Sequence, residues 1–377
     1  MSKLKEKEAD LKRRQIVSNQ RIKRPILSVL RRGSTYLVKS LTWTLIITSV
    51  IFTSSCLSKH PLIKDENLRK TVFEKLSDSP GDQTDLSQIE TLIAREREIS
   101  NLKGIEHLKN LKSLDLSENN IKNITPLSEL ENLEVLFING NCIVDIHNLQ
   151  SLEKLRVLSF SNNNISDISP LKNLSSLTHL FLDNNEVTDL DPISQLPLEA
   201  LRICSNKIRD MNVLSKIPTL QYLHVSENPV EDTSFIDTLT NLKVFSAQSC
   251  KIKKPCLFIP SLQLEDLNLS DNDIREFCFL EGQTHIKNLW MKDNNITDIT
   301  TLSKQSNLQF LDLENNNIQD ISPLLEVSKL IFVNIEGNPL DKSKTVQALS
   351  SLLANNPSLY LNVGGEFSEF DNFCRDK

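Results

Sequence analysis

Glycine is scarce: only 8 of 377 residues, and none falls in a GxGxxG or Walker-type loop whose bare backbone would cradle phosphates. Nucleotide-dependent enzymes are excluded on that ground. A long apolar run is also missing. The stretch Leu41–Phe52 is about 12 residues, whereas a bilayer-crossing helix takes roughly 20. Positive charge is missing from the bulk of the chain, because residues 56–377 carry 31 Lys/Arg against 46 Asp/Glu, a net of −15. Such a surface repels phosphate backbones and draws in cationic partners, so nucleic acid is disfavoured as a ligand. No Ser/His/Asp set converges, since the acidic residues scatter, and no cofactor is implied.

The first 55 residues have the opposite sign, with 12 Lys/Arg against 3 Asp/Glu. A basic stretch ending at Lys39 leads into the apolar run, then into Thr53, Ser54, Ser55 and Cys56. Charged, apolar, then small is the order of a secretory signal. The junction resembles a bacterial lipoprotein lipobox, which implies that Cys56 receives a diacylglycerol and anchors an exported protein to the cell envelope. It departs from that pattern at Thr53, where the family has Leu, and in the length of its basic region. Two other readings stay open: a short anchor or core segment behind a basic cytosolic tail, or a start codon placed too far upstream.

From Leu86 the chain repeats itself. One copy reads Leu108-x-x-Leu111-x-x-Leu114-x-Leu116-x-x-Asn119-x-Ile121-x-x-Ile124-x-x-Leu127. The Asn position recurs at 119, 141, 163, 185, 206, 228, 250, 272, 294, 316 and 338, with a step of 22 except one of 21, and with Cys at 250. Counting back 22 reaches Arg97, so about twelve rungs are expected. The Leu-x-Leu segment alternates with period two, which points its leucines inward from a short strand. An inward Asn both donates and accepts, so a column of them can satisfy the backbone at the bend that follows. Twenty-two residues leave no room for a full return helix, and Pro126, Pro170, Pro192 and Pro323 favour a 3₁₀ or extended return.

This is the leucine-rich-repeat pattern. The expected fold is an α/β solenoid: a right-handed leucine-rich-repeat horseshoe with a parallel sheet on its concave face, short 3₁₀ or extended segments on its convex face, and helical caps. The expected organisation is a basic region plus signal over 1–55, a helical cap over 61–85, repeats over 86–341, and a cap helix and tail over 342–377. Asp65 starts the first cap helix, which carries Leu68, Val72 and Leu76 and stops at Pro80-Gly81. Asp341 starts the second, which carries Val346, Leu349 and Leu352/Leu353. The tail with Phe367, Phe370 and Phe373 is left open between fraying and folding back.

The phrases Ile165-Ser-Asp-Ile-Ser-Pro-Leu171 and Ile318-Gln-Asp-Ile-Ser-Pro-Leu324, and the entry Ile99-Ser-Asn-Leu-Lys-Gly-Ile105, resemble the internalin branch of bacterial leucine-rich-repeat proteins. The resemblance covers about 61–341. It implies a secreted or surface-displayed protein binder rather than an enzyme, in some members one that recognises host receptors. The alternative is a cytosolic regulatory subunit resembling phosphatase-binding leucine-rich-repeat proteins.

Strand alternation exposes columns of residues on the concave face. Two aromatic clusters emerge as partner-binding candidates: Phe137, His179, Phe181, Tyr222 and His224 in the middle, and Trp290, Phe310 and Phe332 toward the end. Exposed aromatics on a rigid sheet are enriched at binding hot spots; β-propensity alone, or cover by the tail, is the competing explanation. His179 and His224 lie two rungs apart, roughly 10 Å, too far to share a metal ion unaided. Cys256 and Cys278 stand 22 apart at equivalent places on adjacent rungs, within reach of a disulfide. Two free thiols are the other reading.

Overall fold

The computed structural model describes residues 62–77, 85–230, 232–255 and 263–370. The basic region, the apolar run, Cys56, Pro80-Gly81, Cys256 and Phe373 lie outside those residues. Of Cys278 only the backbone is described, so the expected bridge also lies outside them.

Thirteen three-residue strands form one parallel sheet in sequence order, from β1 (Thr91–Ile93) to β13 (Tyr360–Asn362). Twelve of them are the rungs of a leucine-rich-repeat horseshoe. β13 is an addition that the repeat count did not foresee. In each rung the central strand residue points inward, as Leu114, Leu136, Leu158 and Leu180 do, all fully buried. Phe160 and Phe245 take leucine positions and are buried likewise.

The Asn column works as its chemistry requires. Asn119 Oδ1 accepts from the Arg97 and Ile99 amides at 3.1 and 2.9 Å, while Nδ2 donates to the Ala94 and Leu116 carbonyls, each at 2.8 Å. Each buried backbone group left unpaired would cost about 1–3 kcal/mol, so one side chain that serves two rungs stabilises both. The residue before each ladder position adopts a left-handed backbone, for example Glu118 at φ 57°, Asn162 at 59° and Asp271 at 54°.

The chain returns through 3₁₀ turns such as Ser169–Asn173 and Ser322–Glu326, with Pro170 and Pro323 in their first turns. The aspartate of each Ile-x-Asp-Ile phrase starts the turn. Asp167 Oδ1 accepts from the Ser169 amide and Asp320 Oδ1 from the Ser322 amide, both at 2.8 Å. These bonds hold both carboxyls below the usual range.

Both ends of the core are covered. Helix α1 (Glu66–Ser77) buries Leu68, Thr71, Val72 and Leu76. At the other end α2 (Lys342–Asn355), capped by Asp341, buries Thr345, Ala348, Leu349 and Leu352. Val346, expected on its apolar face, is 40% exposed. The buried stripe keeps Leu349 and Leu352 and is completed by Thr345 and Ala348 instead. The tail folds back as far as it is described: Gly365–Phe370 is a 3₁₀ turn that buries Phe367 and packs Phe370 against the core.

Candidate binding face

Two columns of side chains rise from the strands of the concave sheet, set by the register of neighbouring rungs. Val157, His179, Ala200 and Tyr222 stand side by side, as do Ser159, Phe181, Arg202 and His224. Phe137 pairs with Ser159 on the next strand. Small residues therefore separate the large ones: Ser159 lies between Phe137 and Phe181, and Ala200 between His179 and Tyr222. The aromatics stand half-buried above this floor, and only His179 and Phe181 meet ring to ring, with centroids 6.5 Å apart.

His224 does not share that exposure. Only 7% of it is accessible, and its Nε2 has no hydrogen-bond partner. Burial, reinforced by the Arg202 charge, pushes its pKa down to about 3, so the ring is neutral and belongs to the floor. Arg202 itself is committed: its Nε lies 2.8 Å from Asp183 Oδ2, while the Cys204 amide donates to Asp183 Oδ1 at 2.9 Å. Burial pushes the Cys204 thiol up to about 12 and Cys250 up to about 11, so neither ionises readily.

The second cluster is a continuous stack. Phe310 and Phe332 lie parallel, 4.3 Å apart at 5°, and Trp290 meets Phe310 at 5.2 Å. Trp290 is only 9% exposed, because the neighbouring ring and rungs close over it. Its expected place as an open contact is corrected with that of His224. Sequence reasoning missed Tyr360, which β13 sets beside Phe332 and leaves 44% exposed. The signal was present: Leu359, Leu361 and Val363 alternate inward, but the 28-residue offset from Phe332 hides this strand from a 22-residue search.

Beside the stack runs a polar strip. Lys292 Nζ lies 2.7 Å from Glu314, Asn334 donates to Glu314 at 2.9 Å, and Asn362 donates to Asn334 and Glu336 at 3.0 and 2.9 Å. Burial, with the Glu314 charge adding to it, pushes Asp312 up to about 6. Among the described residues no three His, Cys, Asp or Glu side chains are grouped to hold a metal ion, and no helix is long and apolar enough to cross a membrane.

The repeats match family models described as Leucine Rich repeats (2 copies) over 109–152 and 153–195, and as Leucine Rich Repeat over 307–326. Among solved structures, an internalin from Listeria monocytogenes superposes with a TM-score of 0.74 at 29% identity, over 81% of this chain and 92% of that one. The chain is a leucine-rich-repeat protein of the internalin type. The fold of this internalin-type array also occurs in a Leptospira interrogans leucine-rich-repeat protein, at 22% identity and a TM-score of 0.53 over 69% of this chain and 62% of that one. It occurs again in the ectodomain of an Arabidopsis thaliana membrane receptor kinase, at 18% identity and 0.59 over 75% and 39%. No curated protein matches.

Proposed function

We propose that this internalin-type chain is a protein-binding module displayed outside the cytoplasm, and that its concave face is the contact surface. The observation that carries this reading is the arrangement around Ala200 and Ser159. Phe137, His179, Phe181 and Tyr222 stand half-buried on a rigid sheet with small residues between them, which gives recesses for partner side chains at little entropic cost. The internalin likeness supports display at the cell surface, with adhesion or host recognition as its purpose. Cys56 is proposed as the acylated anchor, tested by palmitate labelling that should vanish in Cys56→Ala. For the face, a pull-down of envelope and host extracts on the wild-type chain should capture a partner that Phe181→Ala/Tyr222→Ala releases, with the melting temperature nearly unchanged. Unchanged capture together with a large loss of stability would instead place both rings in the core.

A further inference from the structure

The C-terminal third of the concave face is built unlike the middle, as two rails that run side by side along the solenoid. One rail is apolar: Phe310, Phe332 and Tyr360 in register, with Trp290 at its head and the half-exposed Ile331 beside it. Because Phe310 and Phe332 stack face to face, they present ring edges rather than faces to an incoming ligand. Such a ridge suits aliphatic side chains better than a cation, which seeks the electron-rich face.

The cation has its own place. In the second rail, two residues beyond Phe310 and roughly 7 Å away, stands Asp312 in register with Asn334, and Glu314 and Glu336 follow two residues further on, past the ends of their strands. Lys292 bonds to Glu314 but is surrounded by three carboxylates, those of Glu314, Asp293 and Asp312, so negative charge is left over. Asn334 and Asn362 hold Glu314 and Glu336 in place. On the opposite rim of this part Lys287 is paired with Glu265 at 2.8 Å, and the next two places, Gln309 and Ile331, carry no charge. The anionic excess therefore sits on one side of the ridge only. Trp290, in register with Asp312, keeps an indole N–H with no hydrogen-bond partner. Asp312 is itself raised by burial and by Glu314, a penalty that a cation brought by a ligand would relieve.

We propose that this part of the face takes an extended segment of a protein partner in which Lys or Arg alternates with aliphatic side chains, the cations lying on Asp312, Glu314 and Glu336 and the aliphatic groups on Phe310 and Phe332. The proposal rests on the concave face being the binding surface and adds the chemical class of what binds there. A metal ion or a small polyamine would leave the apolar rail unused.

The test is fluorescence anisotropy with the full chain at physiological salt. The probes are a labelled octapeptide of alternating arginine and leucine and its glutamate–leucine counterpart. The arginine peptide should bind and the glutamate peptide should not. Asp312→Asn/Glu314→Gln should weaken binding roughly tenfold or more, the effect of losing one desolvated charge pair. Phe310→Ala/Phe332→Ala should weaken it as well, while circular dichroism checks that each variant is folded. Glu131→Gln/Glu153→Gln, in the exposed turns ahead of Val135 and Val157, removes the same charge elsewhere and should change nothing. Equal weakening by this distant pair would reduce the effect to bulk charge and overturn the proposal, as would binding of the glutamate peptide. If the C-terminal variants are silent while Phe181→Ala/Tyr222→Ala abolishes binding, the location proposed here is wrong and the concave-face reading stands. If every concave variant is silent, that reading fails too.

Discussion

The backbone amide of Val230 donates to the Asn228 carbonyl at 2.8 Å, a tight two-residue turn centred on Pro229, and the ladder position one rung on is Cys250 rather than Asn. In regular rungs the equivalent amide reaches the next ladder oxygen, as Ile121 reaches Asn141 at 2.9 Å and Ile208 reaches Asn228 at 3.1 Å. Leu340 makes the same short turn onto Asn338 at 2.9 Å at the end of the column. Cys250 keeps the donor half of the ladder role, with Sγ 3.4 Å from the Val225 and Gln248 carbonyls. The Asn228 and Glu227 amides face its sulfur, a weaker acceptor than a carboxamide oxygen, and the Val230 amide does not turn to it. The ladder is thus weakened in mid-array.

Cys250→Asn should therefore stabilise the protein. Restoring one buried hydrogen bond is worth about 1 kcal/mol, which in an array of this size raises the melting temperature by roughly 2–4 °C. Calorimetry of the purified variant decides it. A lower melting temperature would mean that the Cys250 site cannot admit a carboxamide.

Asp65 ties the first helix to the first rung. Its Oδ1 caps α1 through the Asn67 and Leu68 amides at 3.0 and 3.1 Å, and its Oδ2 accepts from the Ser100 and Asn101 amides at 2.9 and 3.2 Å. Burial works to raise its pKa, and these four N–H groups outweigh it and hold the carboxyl below the usual range. Asp65→Ala should cost about 2 kcal/mol, the upper end for a cap, since amides on both sides lose their acceptor. Hydrogen exchange should show α1 opening first, with the central rungs still protected. Uniform protection loss along the array would contradict a local cap.

Much of this was legible in the sequence, because the repeat ties each residue type to one duty. The inward leucines, the Asn column and the 3₁₀ returns all follow from spacing. What was not legible depends on neighbours that spacing does not report. His224 and Trp290 occupy outward strand positions, yet the side chains on adjacent rungs close over them. Tyr360 belongs to a strand outside the repeat. The left-handed residue before each ladder position was also missed, for only Gly140 and Gly337 mark it with glycine, and Glu, Asp, Asn and Ser hold it elsewhere.

That position gives a second backbone prediction. Gly140 has φ 61°, and a Cβ there would lie 2.5 Å from the Glu118 carboxylate. Glu118 is a flexible surface side chain and can move, so the strain of a left-handed β-branched residue should dominate. Gly140→Val is expected to cost about 1–2 kcal/mol, and Glu118→Gly to be near neutral, because relieved strain is offset by about 0.5–1 kcal/mol of unfolded-chain entropy. Urea melts of the two variants test the contrast. Equal effects would remove backbone strain as the cause.

The concave face also sets two opposed pH dependences. His224 is held neutral by burial, with a folded pKa of about 3 against roughly 6.5 unfolded. Below that unfolded value the unfolded chain takes up a proton that the folded chain refuses, so this contribution is complete above pH ~6.5 and is lost as the pH falls toward 3. Asp312 runs the other way. Its folded pKa of about 6 exceeds the ordinary value near 3.9, so the ionised form strains the folded state at neutral pH and acid relieves it between about 6 and 4. A shift of about two units corresponds to at most roughly 3 kcal/mol. Asp312→Asn, which keeps an oxygen for the Glu314 amide, should therefore raise the melting temperature at pH 7 and lose that advantage by pH 4. His224→Gln should lower it at pH 7 through poorer packing but flatten the decline between pH 6.5 and 4. Asp167 and Asp320, which start 3₁₀ turns, have lowered values and act only below this window, so they do not mask the contrast. Thermal unfolding from pH 4 to 8 reads both variants, and parallel curves for wild type and Asp312→Asn would show that this carboxylate is not destabilised in the fold.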